Sequence, residues 1–125
     1  MRAIRGAVQL RRDDPAELLE ATRLLLSEVL TANLLDQDDL VSIFFTATPD
    51  LRSDFPAKAA RQLGITDVPL MCAQELDIDG GLPRVVRVLV TAETTLSREQ
   101  IRHVYLGGAE VLRPDLGSAR LSPVR

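Results

Sequence analysis

The chain is poor in aromatic side chains, with three Phe, one Tyr and no Trp in 125 residues, so Leu, Val, Ile and Ala must fill its core. One cysteine, Cys72, excludes an intrachain disulfide. With one histidine as well, zinc sites built from Cys and His ligands cannot be assembled within one subunit. No metal and no other cofactor is expected. Positive charge is not in excess either: 15 Lys and Arg against 18 Asp and Glu leave a net charge of -3, which argues against general affinity for nucleic acid or anionic membrane. No apolar run approaches the ~20 residues that span a bilayer, and the first residues lack the basic, apolar and small-residue order of a secretory leader. The expected compartment is the cytoplasm. A Gly-rich phosphate loop, a nucleophile elbow and a metal-binding helix motif are all missing.

What is there is an ordinary globular composition, 46% apolar and 26% charged, in a chain long enough for one domain and one core. Arg2 to Leu10 alternates, Ile4, Val8 and Leu10 facing one way and Ala3, Arg5, Ala7 and Gln9 the other, which predicts a strand. Asp14-Pro15-Ala16-Glu17 has a capping acid, a first-turn proline and a Glu three residues after the cap. A helix follows to about Asn33, its apolar face carrying Leu18, Ala21, Leu25 and Val29. Val41 to Ala47 reads as a buried strand, so strand, helix and strand suggest a parallel crossover. Phe55 to Gly64 has the proline-first, glycine-last form of a short helix, with Lys58 and Arg61 on one face. Val68 to Glu75 and Val85 to Ala92 are two further strands, and the Gly80-Gly81 turn between them suggests an antiparallel pair. Ser97 with Gln100 opens a short helix expected to reach Ile101 or Arg102, and His103 to Leu106 fits either its extension or a final strand. Asp115 to Arg125 lacks apolar periodicity and is expected to be mobile. The pattern is that of a single α/β domain with a mixed sheet and packed helices.

Arg87 interrupts an otherwise apolar strand, and a guanidinium buried there would require an anion, either a structural acid or a ligand, unless it lies on an exposed edge. Arg5 raises the same question on the first strand, where a solvated sheet face is the plainer reading. Glu75 is an acid that could answer either arginine. Lys58 and Arg61 are ordinary surface cations unless they converge with Arg5 and Arg87. Cys72 has no base beside it in sequence, which favours a small buried residue over a nucleophile.

Several stretches, taken together, resemble the monofunctional chorismate mutases of the AroH class. They are Arg2-Ala3-Ile4-Arg5-Gly6-Ala7, Thr46-Ala47-Thr48-Pro49-Asp50-Leu51, Phe55-Pro56-Ala57-Lys58-Ala59-Ala60-Arg61, Cys72-Ala73-Gln74-Glu75 with Gly80-Gly81-Leu82, Ile101-Arg102-His103-Val104-Tyr105-Leu106, and Val111-Leu112-Arg113-Pro114-Asp115-Leu116. The likeness runs to about Leu116, which makes 1–116 the domain and 117–125 a tail.

The resemblance implies a homotrimer described as a pseudo-α/β barrel, with active sites at the subunit interfaces. It also implies an isomerase that converts chorismate to prephenate by a Claisen rearrangement, on the route to Phe and Tyr, without a cofactor. Carried over by position, Arg87 faces the ether oxygen, Arg5 holds a substrate carboxylate, and Glu75 accepts from the ring hydroxyl with Cys72 nearby. Tyr105 contacts the side-chain carboxylate, Phe55 and Ala57 form the pocket wall, and Lys58 and Arg61 the basic rim. Leu112 and Arg113 lie near the mouth. Gly107-Gly108 stands where such proteins are expected to carry more helix-forming residues. An enamine or imine deaminase-like trimer and a non-catalytic metabolite-binding trimer are the competing readings; the deaminase's own arginine and acid motif is not found in this chain.

Overall fold

Alternation along the first segment produces β1 (Arg2–Gln9), and the computed structural model, which describes residues 1–112, pairs it on both sides. Asp14 caps α1 (Pro15–Ala32) by accepting from the Glu17 N–H at 2.9 Å. The Glu17 carboxylate bonds the Arg11 N–H, pinning the loop that enters the helix. β2 (Leu40–Ala47), α2 (Ala57–Gln62), β3 (Leu70–Gln74), β4 (Val85–Ala92) and β5 (Val104–Leu106) follow. Single 3-10 turns occupy Gln37–Asp39, Arg98–Gln100 and Ala109–Leu112.

The five strands form one sheet in the order β3-β2-β4-β1-β5. β4 is antiparallel to β1 and β2, while β2 with β3 and β1 with β5 are parallel. β1 and β2 therefore run the same way, as a crossover requires, but with β4 inserted between them. The antiparallel pairing expected of β3 and β4 does not form, because β2 separates them. The turn is there, closed by the Gly81 N–H on the Ile78 carbonyl at 2.9 Å, yet the chain passes over the end of β2 to reach its place. Arg84 enters β4 in the left-handed region at φ 53 and is held there by Asp50, which accepts from its backbone N–H.

Both helices cover one face of the sheet. Leu18, Leu25, Leu26 and Val29 of α1 and Ala59 and Ala60 of α2 pack on Ile4, Val8, Ile43, Phe45, Val86, Val88 and Val90. Each fully buried Leu, Ile or Val contributes about 1.5–3 kcal/mol, so this aliphatic layer is the main source of stability. Gly6 lets α1 approach closely: a β-carbon there would lie 3.1 Å from both Leu25 Cδ1 and Val88 Cγ2. Buried Asn33 ends α1 and also ties it to the segment before β5, donating to the Val29 and Arg102 carbonyls and accepting from the Arg102 N–H.

The other face of the sheet is largely open in the single chain. Phe44, Met71 and Leu89 are exposed there, while Ala7, Val85, Tyr105 and Ala109 form a small second cluster. The Ser97 capping box is present but encloses a single turn that stops at Gln100, and His103 to Leu106 resolves as the edge strand β5. No helix among the described residues is long and apolar enough to cross a membrane. Arg113 and the expected mobile tail lie outside the described residues.

Candidate active site

Strand register builds the site. Thr46 on β2, Arg87 on β4, Ala7 on β1 and Tyr105 on β5 stand opposite one another in a single row across the open face. Arg5 lies one row away, paired with Leu89, so it is a diagonal neighbour of Arg87, about 7–8 Å away between backbones. Because side chains alternate along a strand, all of these project to the side the helices leave uncovered. Thr46, Arg87, Tyr105 and Arg5 line a cavity of about 460 Å³ together with Glu75, Phe44, Leu89 and Leu112.

Arg87 is accordingly not buried within an apolar strand; it stands on the half of the strand that faces the cavity. Its Nε donates to Glu75 Oε2 at 2.9 Å, and Thr46 Oγ1 donates to the same oxygen at 3.1 Å. Glu75 follows the end of β3, where its N–H extends the ladder to the Ala47 carbonyl at 2.9 Å. The acid thus holds the guanidinium through Nε. Arg and Glu side chains in this cavity are partly solvated, the Arg87 side chain at 46% exposure and that of Glu75 at 25%. The pair's main effect is therefore to orient, since half-exposed ion pairs contribute little to stability.

Tyr105 is buried against Ala7, Val85 and Ala109, so its ring has a fixed position at the cavity's β5 end. The chain then turns at Gly107, with φ +62, so close to β1 that a β-carbon would sit 2.8 Å from the Gln9 carbonyl oxygen. The glycines at 107 and 108 let the last described turn fold back and bring Leu112 to the cavity.

The remaining candidates stand elsewhere. Cys72 is exposed rather than buried and, being opposite Phe45 in register, belongs to the other side of the sheet from Arg87. It lines a second cavity of about 620 Å³ with Phe55, Gln74, Thr48 and Pro56. Phe55 is 69% exposed there. Ala57 lies inside the main core, while Lys58 and Arg61 project to solvent from α2. Lys58 Nζ pairs with Asp54 at 3.2 Å. The Phe55 N–H and then the Lys58 ammonium hold the Asp54 carboxyl below its usual range. Within one chain, then, Lys58 and Arg61 do not converge with Arg5 and Arg87. Thr46 escaped the sequence reading as a cavity residue; its alternation with Phe44 on β2 was the available signal, once β2 is known to adjoin β4.

A family model described as chorismate mutase type I matches residues 1–116. The chain is 46% identical over 117 residues to the chorismate mutase AroH of Bacillus subtilis (strain 168), covering 93% of this chain and 92% of that protein. It is 47% identical over 121 residues to the chorismate mutase AroH of Thermus thermophilus, covering 96% of this chain and 99% of that one. A solved structure of a chorismate mutase from Clostridium thermocellum superposes with a TM-score of 0.88 at 42% identity, covering 89% of this chain and 99% of that one. The chain belongs to the type I chorismate mutase family.

Proposed function

We infer that this chain is a chorismate mutase, isomerising chorismate to prephenate in the cavity lined by Arg5, Glu75, Arg87 and Tyr105. The observation that carries the site assignment is the convergence of two guanidiniums, one carboxylate and one phenol on the open sheet face. Chorismate is a dianion, and each carboxylate calls for charge-assisted donors. Its rearrangement is unimolecular and concerted, with no nucleophile, proton transfer or cofactor.

In the transition state the breaking carbon–oxygen bond runs ahead of carbon–carbon bond formation and leaves negative charge on the ether oxygen. The Arg87 terminal nitrogens meet that charge, and their attraction is stronger there than in the ground state. Glu75 holds Arg87 in place and accepts from the ring hydroxyl; Arg5 and Tyr105 take carboxylate oxygens. An acceleration of about 10⁶-fold needs about 8 kcal/mol. One well-placed cationic donor supplies about 3–4 kcal/mol of it. Holding the enolpyruvyl chain over the ring supplies the remainder.

We further infer that the site is completed between subunits of a homotrimer. Phe44, Met71 and Leu89 expose an apolar surface on the cavity's face, as an association surface does. Phe55, Lys58, Arg61 and Cys72 then form the wall opposite Arg5, Arg87 and Tyr105, with Leu112 at the mouth, whereas Ala57 is taken up by the core. A head-to-tail contact brings two different parts of one sequence together in this way.

The test is a direct assay of chorismate absorbance with product identification. Saturable loss of chorismate with equimolar prephenate is expected. Loss no faster than in buffer alone would overturn the reading.

A further inference from the structure

His103 is the chain's one histidine, and the residues assigned above give it no task. Parallel pairing of β1 with β5 begins at Gly6 opposite Val104. Continued one position back, the register sets Arg5 opposite His103. There the Arg5 backbone N–H donates to His103 Nδ1 at 2.9 Å. An imidazole nitrogen thus takes a strand N–H just beyond the last paired residue of the edge strand. A nitrogen that accepts carries no proton, so this contact requires the tautomer with its hydrogen on Nε2.

The backbone next to the imidazole is anchored as well. The neighbouring Arg102 is clamped at both backbone groups by the buried Asn33 side chain, at 2.8 Å for the N–H and 2.9 Å for the carbonyl. A rigid path therefore runs from the C-terminal end of α1 through Asn33 and Arg102 to His103, and from its ring to the backbone of Arg5. The Arg5 side chain then leaves β1 for the cavity.

We propose that His103 is a positioning residue for substrate binding: through Nδ1 it fixes the backbone of Arg5 and thereby the point from which the Arg5 guanidinium reaches a substrate carboxylate. The proposal rests on the chorismate mutase reading. Arg5 holds a carboxylate that carries the same charge in substrate and transition state, so loosening it weakens both alike. That raises KM and leaves kcat nearly unchanged. A side chain that only stabilised the fold would lower the melting temperature and the active fraction and leave KM alone.

The experiment compares wild type, His103→Leu and His103→Asn, because the Asn carbonyl oxygen falls near the Nδ1 position and accepts the same N–H. Steady-state kinetics with chorismate should show KM raised about tenfold in His103→Leu with kcat within about twofold, and KM within about threefold of wild type in His103→Asn. Nitrogen-15 NMR of the wild-type ring should show Nδ1 unprotonated. An unchanged KM in His103→Leu, a KM in His103→Asn as high as in His103→Leu, or a protonated Nδ1 overturns the proposal. Should His103→Leu fail to fold, the Asn variant and the ring nitrogens decide: an Asn variant with wild-type KM and an unprotonated Nδ1 support it. A wild-type protein that does not convert chorismate overturns the reaction reading and this inference with it, whereas normal turnover with any of the three contrary results overturns this inference alone.

Discussion

Arg87 on β4 reaches past Thr46 of β2 to the Glu75 carboxylate at the end of β3, Nε to Oε2 at 2.9 Å. Three strands therefore set the direction of one guanidinium, and they do so through Nε. In the proposed mechanism the terminal nitrogens serve the substrate, an arrangement that a lysine, with its single charged nitrogen, has no means to reproduce.

Arg87→Ala and Arg87→Lys should each lower kcat by on the order of 10²-fold or more, with a smaller rise in KM. The measurement is steady-state turnover of chorismate on variants whose melting temperature matches the wild type. Near-normal turnover in Arg87→Lys would contradict the electrostatic role.

The two walls proposed for the interface can be separated by mixing. Arg61→Glu should damage one wall by repelling a substrate carboxylate, and Arg87→Ala the other. If each is nearly inactive alone, co-refolding equal amounts should restore about one quarter of wild-type activity, because each wall of a cleft in a closed ring has about a half chance of being intact. Native mass spectrometry checks that mixed oligomers form. Mixed oligomers with no activity above separately refolded controls would place the whole site within one subunit.

Asp54 makes one contribution pH-dependent. Its carboxyl is held below the ordinary 3.8, first by the Phe55 N–H and then by Lys58. A depressed folded-state pKa adds stability above the unfolded value, and that stability is lost as pH falls through the lower folded value. The melting-temperature gap between wild type and Asp54→Asn should therefore be present at neutral pH and close in acid below 3.8. In Lys58→Ala the carboxyl titration, followed by carbon-13 NMR, should move only part of the way back, because the Phe55 N–H remains. A full return to the ordinary value would mean that Lys58 is the dominant cause.

Gly107→Ala should lower the melting temperature by about 5–10 °C, since a side chain is strained at positive φ and the new β-carbon would meet the Gln9 backbone. Gly108→Ala should cost less: its β-carbon meets only the end of the Gln9 side chain, which can swing aside at the loss of its bond to the Pro83 carbonyl. Thermal denaturation of the two variants side by side tests the ranking.

Cys72→Ser should keep at least about half of wild-type turnover, because no thiolate attack enters the mechanism. Chelators should likewise leave the rate unchanged. A covalent adduct on Cys72 trapped during turnover, or loss of activity on metal removal, would contradict a cofactor-free rearrangement.

Local chemistry in the sequence was enough to determine most of the elements. Asp14-Pro15 starts α1, β1 and β4 alternate with a period of two, and Ser97 with Gln100 closes a turn, because caps, prolines and side-chain alternation act within a few residues. Arg87 was legible as a candidate for the same local reason, a charge interrupting an apolar strand, whereas Arg5 and Glu75 drew their roles from the family resemblance. Only the tertiary structure decided that β4 lies between β1 and β2, since the turn at Gly80-Gly81 suits a hairpin whether or not β2 takes the place beside β3. That insertion sets Thr46, Arg87 and Tyr105 in one row and brings Glu75 to Arg87 from the end of β3, while leaving Cys72 on the opposite face. Which strands adjoin is settled by burial of the whole aliphatic layer under α1 and α2, a sum over contacts distant in sequence that no local window contains.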